Sequence, residues 1–322
     1  MQDQINHASA DRQRSSTMPG WVVPALVLSA LALLWAYLPS FTLLFWRWWN
    51  DPNYSHGFFV VPIAMVVLWQ RRDRLEVDRL RPSWIGLLAL AGVLGLRAYM
   101  YERNEQMAEA ATIPIVVAAL ALAYGGWRLL WWGLPAFVFL LFMLPLPESV
   151  NSLLAFQLQG LATALSCAIM QMMGLPALAE GHVIYVGSEQ MEVAAACNGL
   201  SMLLTFLTLI AAVILLADLS LWEKIVLAIS AVPIALISNI LRIVITGWAF
   251  YQFGPSTTVA PGWTIERLTH DPAGWAMMPI ALALVWLELR LLSWLVIEEQ
   301  VGPSRPAMVL PRPVADPALV KK

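Results

Sequence analysis

Three side chains in this chain are chemically capable and lie at helix ends or mid-helix rather than on polar loops: Cys197, Arg242 and His270. Cys197 sits in Val193-Ala-Ala-Ala-Cys-Asn-Gly199, where an extended segment turns into an apolar helix. Backbone N–H groups at a helix start stabilise a thiolate and can hold an oxyanion. His270 precedes Asp271-Pro272, a cap and first position for a last helix, and an imidazole there titrates near neutral pH. Arg242 interrupts the apolar stretch Ile234 to Gly247, with Asn239 and Thr246 three before and four after it on one helix face. A thiol, an imidazole and a guanidinium supply a nucleophile, a base and an anion stabiliser. Each has a plainer reading: a buried structural cysteine, a surface histidine, an arginine snorkelling to an interface. Cys167, midway along an apolar helix, takes the structural reading.

The elements that must carry these residues are membrane helices. Of 322 residues, 60% are hydrophobic and 12% charged, against about 45–50% and about 25% in soluble domains. Nineteen basic and 21 acidic residues cannot coat a soluble body of this length. The net charge of -2 and the lack of a basic run argue against a nucleic-acid partner. Two cysteines and four scattered histidines make no disulfide framework and no metal-ligand spacing, so no cofactor is implied.

Apolar stretches able to cross a bilayer fall near 21–38, 84–101, 108–125, 127–146, 198–217, 224–250 and 273–297. A shorter run, 58–70, completes a span if it begins at Tyr54. Segment 152–174 carries Ser152, Gln159, Thr163, Ser166 and Gln171 as a polar stripe, which suits a helix packed on the bundle or lying at the interface. Residues 182–187 and 190–193 read as a short hairpin. Trp46, Trp48, Trp49, Trp131 and Trp132 read as interfacial belts, and Gly125-Gly126 as a tight turn. Five arginines in the 71–83 loop place it in the cytoplasm. Counting from there gives cytoplasmic termini, an external 39–56 segment, and Cys197, Arg242 and His270 together near the external face. The fold expected is an all-α integral membrane protein of about eight transmembrane helices. One interfacial or packed amphipathic helix and a short external hairpin ahead of Cys197 complete it. Residues 1–20 form a polar cytoplasmic tail, 21–297 the membrane domain and 298–322 a Pro-rich cytoplasmic tail.

The motifs resemble those of the exosortase/archaeosortase family of multi-span membrane cysteine transpeptidases. Asp51-Pro-Asn-Tyr-Ser-His-Gly-Phe-Phe-Val-Val-Pro62 and Leu68-Trp-Gln-Arg-Arg72 are similar to its opening motif. Leu158-Gln-Gly-Leu-Ala-Thr163 and Gly181-His-Val-Ile184 resemble its middle region. The cysteine, arginine and histidine motifs are matched by Val193 to Leu200, Ile234 to Arg242, and His270-Asp-Pro-Ala-Gly-Trp275. Asn198 and Ser201 depart from the family's usual Cys-Ser-Gly and following arginine, a change that bears on substrate choice rather than on the nucleophile. The resemblance implies Cys197 as nucleophile with Arg242 and His270 completing a triad. Asn239, Asn198, Gly199 and His56 are candidate supporting groups. It implies cleavage of C-terminal sorting signals (a short motif, a transmembrane helix and a basic cluster) on exported proteins at the outer face of the inner membrane. Two other classes fit the residues: a transporter or channel lined by Arg242 and Asn239, and a membrane transferase in surface-polymer assembly.

Overall fold

The computed structural model describes residues 22–193, 199–260, 263–265 and 282–291. Helices dominate. They are α1 (Val22–Ala36), α2 (Leu38–Asn50), α3 (Gly57–Gln70), α4 (Trp84–Glu102), α5 (Gln106–Ala110), α6 (Thr112–Phe139), α7 (Glu148–Met172), α8 (Leu200–Leu216) and α9 (Leu221–Phe253). Between α7 and α8 lies an antiparallel sheet of β1 (Ala177–Glu180), β2 (Val183–Val186) and β3 (Glu189–Glu192). A two-stranded ribbon of β4 (Thr258–Ala260) and β5 (Trp263–Thr264) follows α9.

Helix α6 shows how local chemistry sets the topology. With its short flanking helices the stretch runs 38 residues from Gln106 to Met143. At 1.5 Å per residue it would measure about 57 Å if straight, nearly two hydrocarbon thicknesses. It is not straight, because Gly126 takes φ 66° and ψ -160°. A Cβ at Gly126 would lie 2.7 Å from the carbonyl oxygen of Arg81, so only glycine fits the break. Before the break, Ser83 N–H donates to Ala123 O at 3.0 Å. A Cβ at Gly86 would fall 2.2 Å from Ala123 N, so the α4 and α6 backbones approach directly, as small residues permit. After the break, Trp132 Nε1 donates to Arg71 O at 2.8 Å, and His56 Nε2 bonds Phe142 O at 3.1 Å. Residues 132 to 142 therefore run antiparallel to α3, and the chain reverses at the Gly125-Gly126 turn expected there.

Two ends follow. At one, the arginine loop 71–83 meets the α6 turn, and Glu76 pairs with both Arg79 (2.8 Å) and Arg128 (3.6 Å). At the other, the 51–56 turn gathers three later segments. Tyr54 OH donates to Asn151 Oδ1 at 2.9 Å, Trp48 Nε1 to Met143 O at 2.9 Å, and Ser201 Oγ to Pro52 O at 2.8 Å. Between them, a buried Glu109 pairs with Arg97 at 3.0 Å. Arg97 also donates to Ala36 O and stacks 4.5 Å from the Tyr37 ring, holding the 67° bend between α1 and α2.

Among the described residues, four helical stretches are long and apolar enough to cross a bilayer: α4, residues 106–143, α7 and α9. The bent α1–α2 pair makes a fifth. The eight expected spans are thus not reproduced as eight bilayer-length helices. Two expected spans lie in one helical stretch broken at Gly126. Two others, α3 and α8, have 14 and 17 residues, about 21 and 26 Å. Of the expected 273–297 span, the described part is helical over 282–291 and packs on α9, where Ser230 Oγ donates to Glu288 Oε2 at 2.7 Å. Helix α7, expected to pack rather than cross, is long enough to cross. It touches Tyr54 through Asn151 near its start and packs Met170 against Gly247 near its end.

The expected hairpin is present as β2 and β3, with β1 added to it; Ile184 pairs with Met191 and with Ala179. Ile184, Val186 and Met191 join Cys167, Met170, Ile243, Val244 and Phe250 in one buried cluster, so the sheet caps α7 and the end of α9. The tryptophans divide. Trp46, Trp49 and Trp131 are exposed as a belt requires, whereas Trp48 and Trp132 are spent on carbonyls of distant segments.

Candidate active site

Helix α9 begins with a complete capping box: Ser220 Oγ accepts from Glu223 N–H, and Glu223 Oε2 accepts from Ser220 N–H. From that start the helix runs 33 residues, about 50 Å. Its buried face carries Ala231, Ala235, Ser238, Asn239, Arg242 and Ile243, the three-and-four spacing of one stripe. Asn239 is fully buried and Arg242 is 7% exposed. Burying a guanidinium this deep in an apolar bundle is costly enough that such residues usually serve a site. The pairing of Asn239 with Arg242 on one inward face, expected from spacing, holds.

Opposite this stripe lies the start of α8. Gly199 is its N-terminal cap, with φ +84°, a left-handed conformation that glycine adopts at no steric cost. A Cβ there would sit 3.1 Å from Asn239 Nδ2. The Gly199 backbone therefore rests against the Asn239 amide, one helical turn from Arg242. Ser201, on the first turn of α8, ties this corner to the 51–56 turn. Sequence reading noted Ser201 only as a departure from the family motif; the carbonyl it bonds lies 149 residues away. Gly199→Ala should cost roughly 1–2 kcal/mol from the left-handed backbone alone, with the Asn239 contact adding to it. Thermal unfolding in detergent reads this out, and an unchanged midpoint would show that the corner tolerates a methyl group.

The structure thus brings Gly199, Asn239 and Arg242 together. Cys197, Asn198 and His270 lie outside the described residues. Cys197 stands two positions before Gly199 in the chain.

His56, a candidate supporting group, precedes α3. It is 6% exposed, and its Nε2–H donates to the Phe142 carbonyl, fixing the tautomer. Burial pushes the imidazole down to about 4, so it is neutral at physiological pH and pins the start of α3 to the end of the 140–143 turn. Its folded value lies below the unfolded value of about 6.5. The neutral ring therefore stabilises fully above pH 6.5, and that contribution is lost as pH falls toward 4. The swing is about 3 kcal/mol. His56→Gln keeps a donor for Phe142 O and should flatten the fall in unfolding midpoint between pH 6.5 and 4.5. An equally steep fall in that variant would assign the acid sensitivity to other groups. His182, read as structural, packs edge-on to Phe156 at 5.0 Å.

No group of His, Cys, Asp and Glu suited to a metal ion occurs among the described residues. No curated protein and no solved structure matches the chain. The family model for transmembrane exosortases (Exosortase_EpsH) matches residues 48–287, from the end of α2 into the 282–291 helical segment, and so takes in the corner built by Gly199, Asn239 and Arg242. The chain belongs to the transmembrane exosortase family.

Proposed function

We propose that this protein is a membrane cysteine transpeptidase or peptidase that cuts C-terminal sorting signals from exported proteins. Its substrates carry a short motif, a transmembrane helix and a basic cluster. The reading places the arginine loop 71–83 in the cytoplasm, because Lys and Arg are retained on that side. The Pro52 end, with the starts of α7 and α8, then faces the exterior. In this topology the chain spans the inner membrane eight times, both termini are cytoplasmic and α7 packs on the outer end.

One observation carries the reading: the helix start that follows Cys197 is seated on the buried Asn239–Arg242 stripe. Two peptide units keep the Cys197 Cα within about 7 Å of that of Gly199. In the proposed reaction His270 takes the thiol proton, and Cys197 Sγ attacks the scissile carbonyl carbon. The oxyanion is held by N–H groups opening α8, with Arg242 supplying positive charge. As the C–N bond breaks, His270 returns its proton to the leaving amine, and the acyl group remains on sulfur as a thioester. An acceptor amine, or water, then attacks that thioester and regenerates the thiol.

Mass spectrometry of the enzyme recovered from cells expressing a substrate tests this. The peptide containing Cys197 should carry the acyl fragment of the substrate, and hydroxylamine should release it. Processing that continues with no adduct on Cys197, even after acid quenching at early times, would overturn the covalent route.

A further inference from the structure

Where the arginine loop meets the α6 turn there is a cavity of about 440 Å³, lined by Asp78, Arg79, Arg81, Ser83, Trp127 and Arg128 among others. Three arginines thus line one concave space. Glu76 neutralises part of this charge by bridging Arg79 and Arg128, and Asp78 lies on the wall. Even so, the lining holds Arg79, Arg81 and Arg128 against Asp78, with Glu76 beside them. The surplus is positive, and guanidiniums bind phosphate oxygens in forked pairs.

The surroundings say where the rest of the ligand goes. Trp127 on the cavity wall is 54% exposed, and Trp84, the next residue after Ser83, is 69% exposed. From Trp84 the helix α4 leads away with Leu87 and Leu88 also outward, and only 6% of its apolar window is buried. A polar, cationic cavity with aromatic residues at its mouth thus opens onto an apolar helix wall. That is the form of an amphiphile: an anionic head and hydrocarbon chains.

We infer that this cavity binds the phosphate headgroup of an anionic phospholipid, with the acyl chains lying along α4. The bound lipid bridges the arginine loop and the α6 turn. Its phosphate joins Arg81, whose carbonyl abuts Gly126, to Arg128, and so braces the break on which the reversal of α6 depends.

The test uses the purified full chain in neutral detergent, titrated with mixed micelles of phosphatidylglycerol, with phosphatidylcholine micelles, and with inorganic phosphate alone. Tryptophan fluorescence and the unfolding midpoint are the readouts. Phosphatidylglycerol should bind at least tenfold more tightly than phosphatidylcholine, and the preference should shrink in 0.5 M salt (about a 4 Å screening length). Substituting Arg81→Gln with Arg128→Gln should weaken phosphatidylglycerol by about 30-fold, while Arg74→Gln, in the same loop but off the cavity, should not. Equal affinity for the two lipids in the unaltered protein would overturn the inference without any variant. So would a loss in Arg74→Gln as large as in the pair, which would mean diffuse attraction rather than a site. Saturation by inorganic phosphate with no lipid preference would make it a soluble-anion site and overturn it equally.

Discussion

Cys197→Ala and Cys197→Ser should each lower substrate processing by about 10³-fold or more, because a hydroxyl at this position lacks the low-pKa anion on which thiolate attack depends. Cys167→Ala should leave processing unchanged. The contrast is informative because these are the chain's two cysteines. Cys167 is 5% exposed inside the cluster of α7, α9 and the sheet, where its sulfur accepts a weak contact from Gln171 Nε2 at 3.7 Å. The same amide donates to Ala177 O at 2.8 Å, so removing the sulfur leaves no polar group stranded. The cost is a small cavity worth about 1 kcal/mol. Immunoblotting of precursor and processed substrate in cells, with each variant at matched abundance, decides between them. Processing that survives Cys197→Ala would end the thioester mechanism and turn attention to transport through the bundle. Loss in Cys167→Ala at unchanged abundance would mean that the two thiols had been assigned the wrong way round.

What could be read in the sequence and what could not divides along physical lines. The loop 71–83 and the Gly125-Gly126 turn were expected on one side because arginines resist translocation and paired glycines break helices. Glu76 joins them by pairing with Arg128. The Asn239–Arg242 face was legible because helical periodicity puts such residues on one stripe. Contacts between remote segments were not legible. Trp48 and Trp132 share the composition of belt residues, and only the carbonyls of Met143 and Arg71 distinguish them. Strand β1, Ala-Leu-Ala-Glu, has no β-branched residue and is held in the sheet by pairing with β2. Arg97 and Glu109 lie in separate elements, and no sequence spacing links them, yet they form a buried ion pair. Helix α7 is long enough to cross a bilayer, yet the Thr163 and Ser166 part of its polar stripe is buried within the protein, as a helix packed on the bundle requires.

Arg242→Lys should lower kcat/KM for processing by about 10²–10³-fold, although it keeps the charge. Shape, not charge, separates the two side chains. Arg242 is buried on the α9 stripe one turn from Asn239, whose amide supports the Gly199 backbone. A guanidinium carries several N–H donors in a fixed planar fork, whereas an ammonium on a flexible stem is a single, mobile point of charge. Steady-state kinetics separate the two tasks the arginine could perform. If it stabilises the oxyanion, kcat falls while KM holds, since the charge develops only in the transition state. If it grips a substrate carboxylate, KM rises while kcat holds, and a substrate with that carboxylate changed to an amide loses the discrimination between the two enzymes. Both patterns keep Arg242 in the site. Arg242→Gln, checked for a monodisperse fold, provides the decisive case: a neutral residue of similar reach that processes substrate as fast as the native protein would reduce the buried stripe to packing, and the catalytic corner would have to be sought elsewhere.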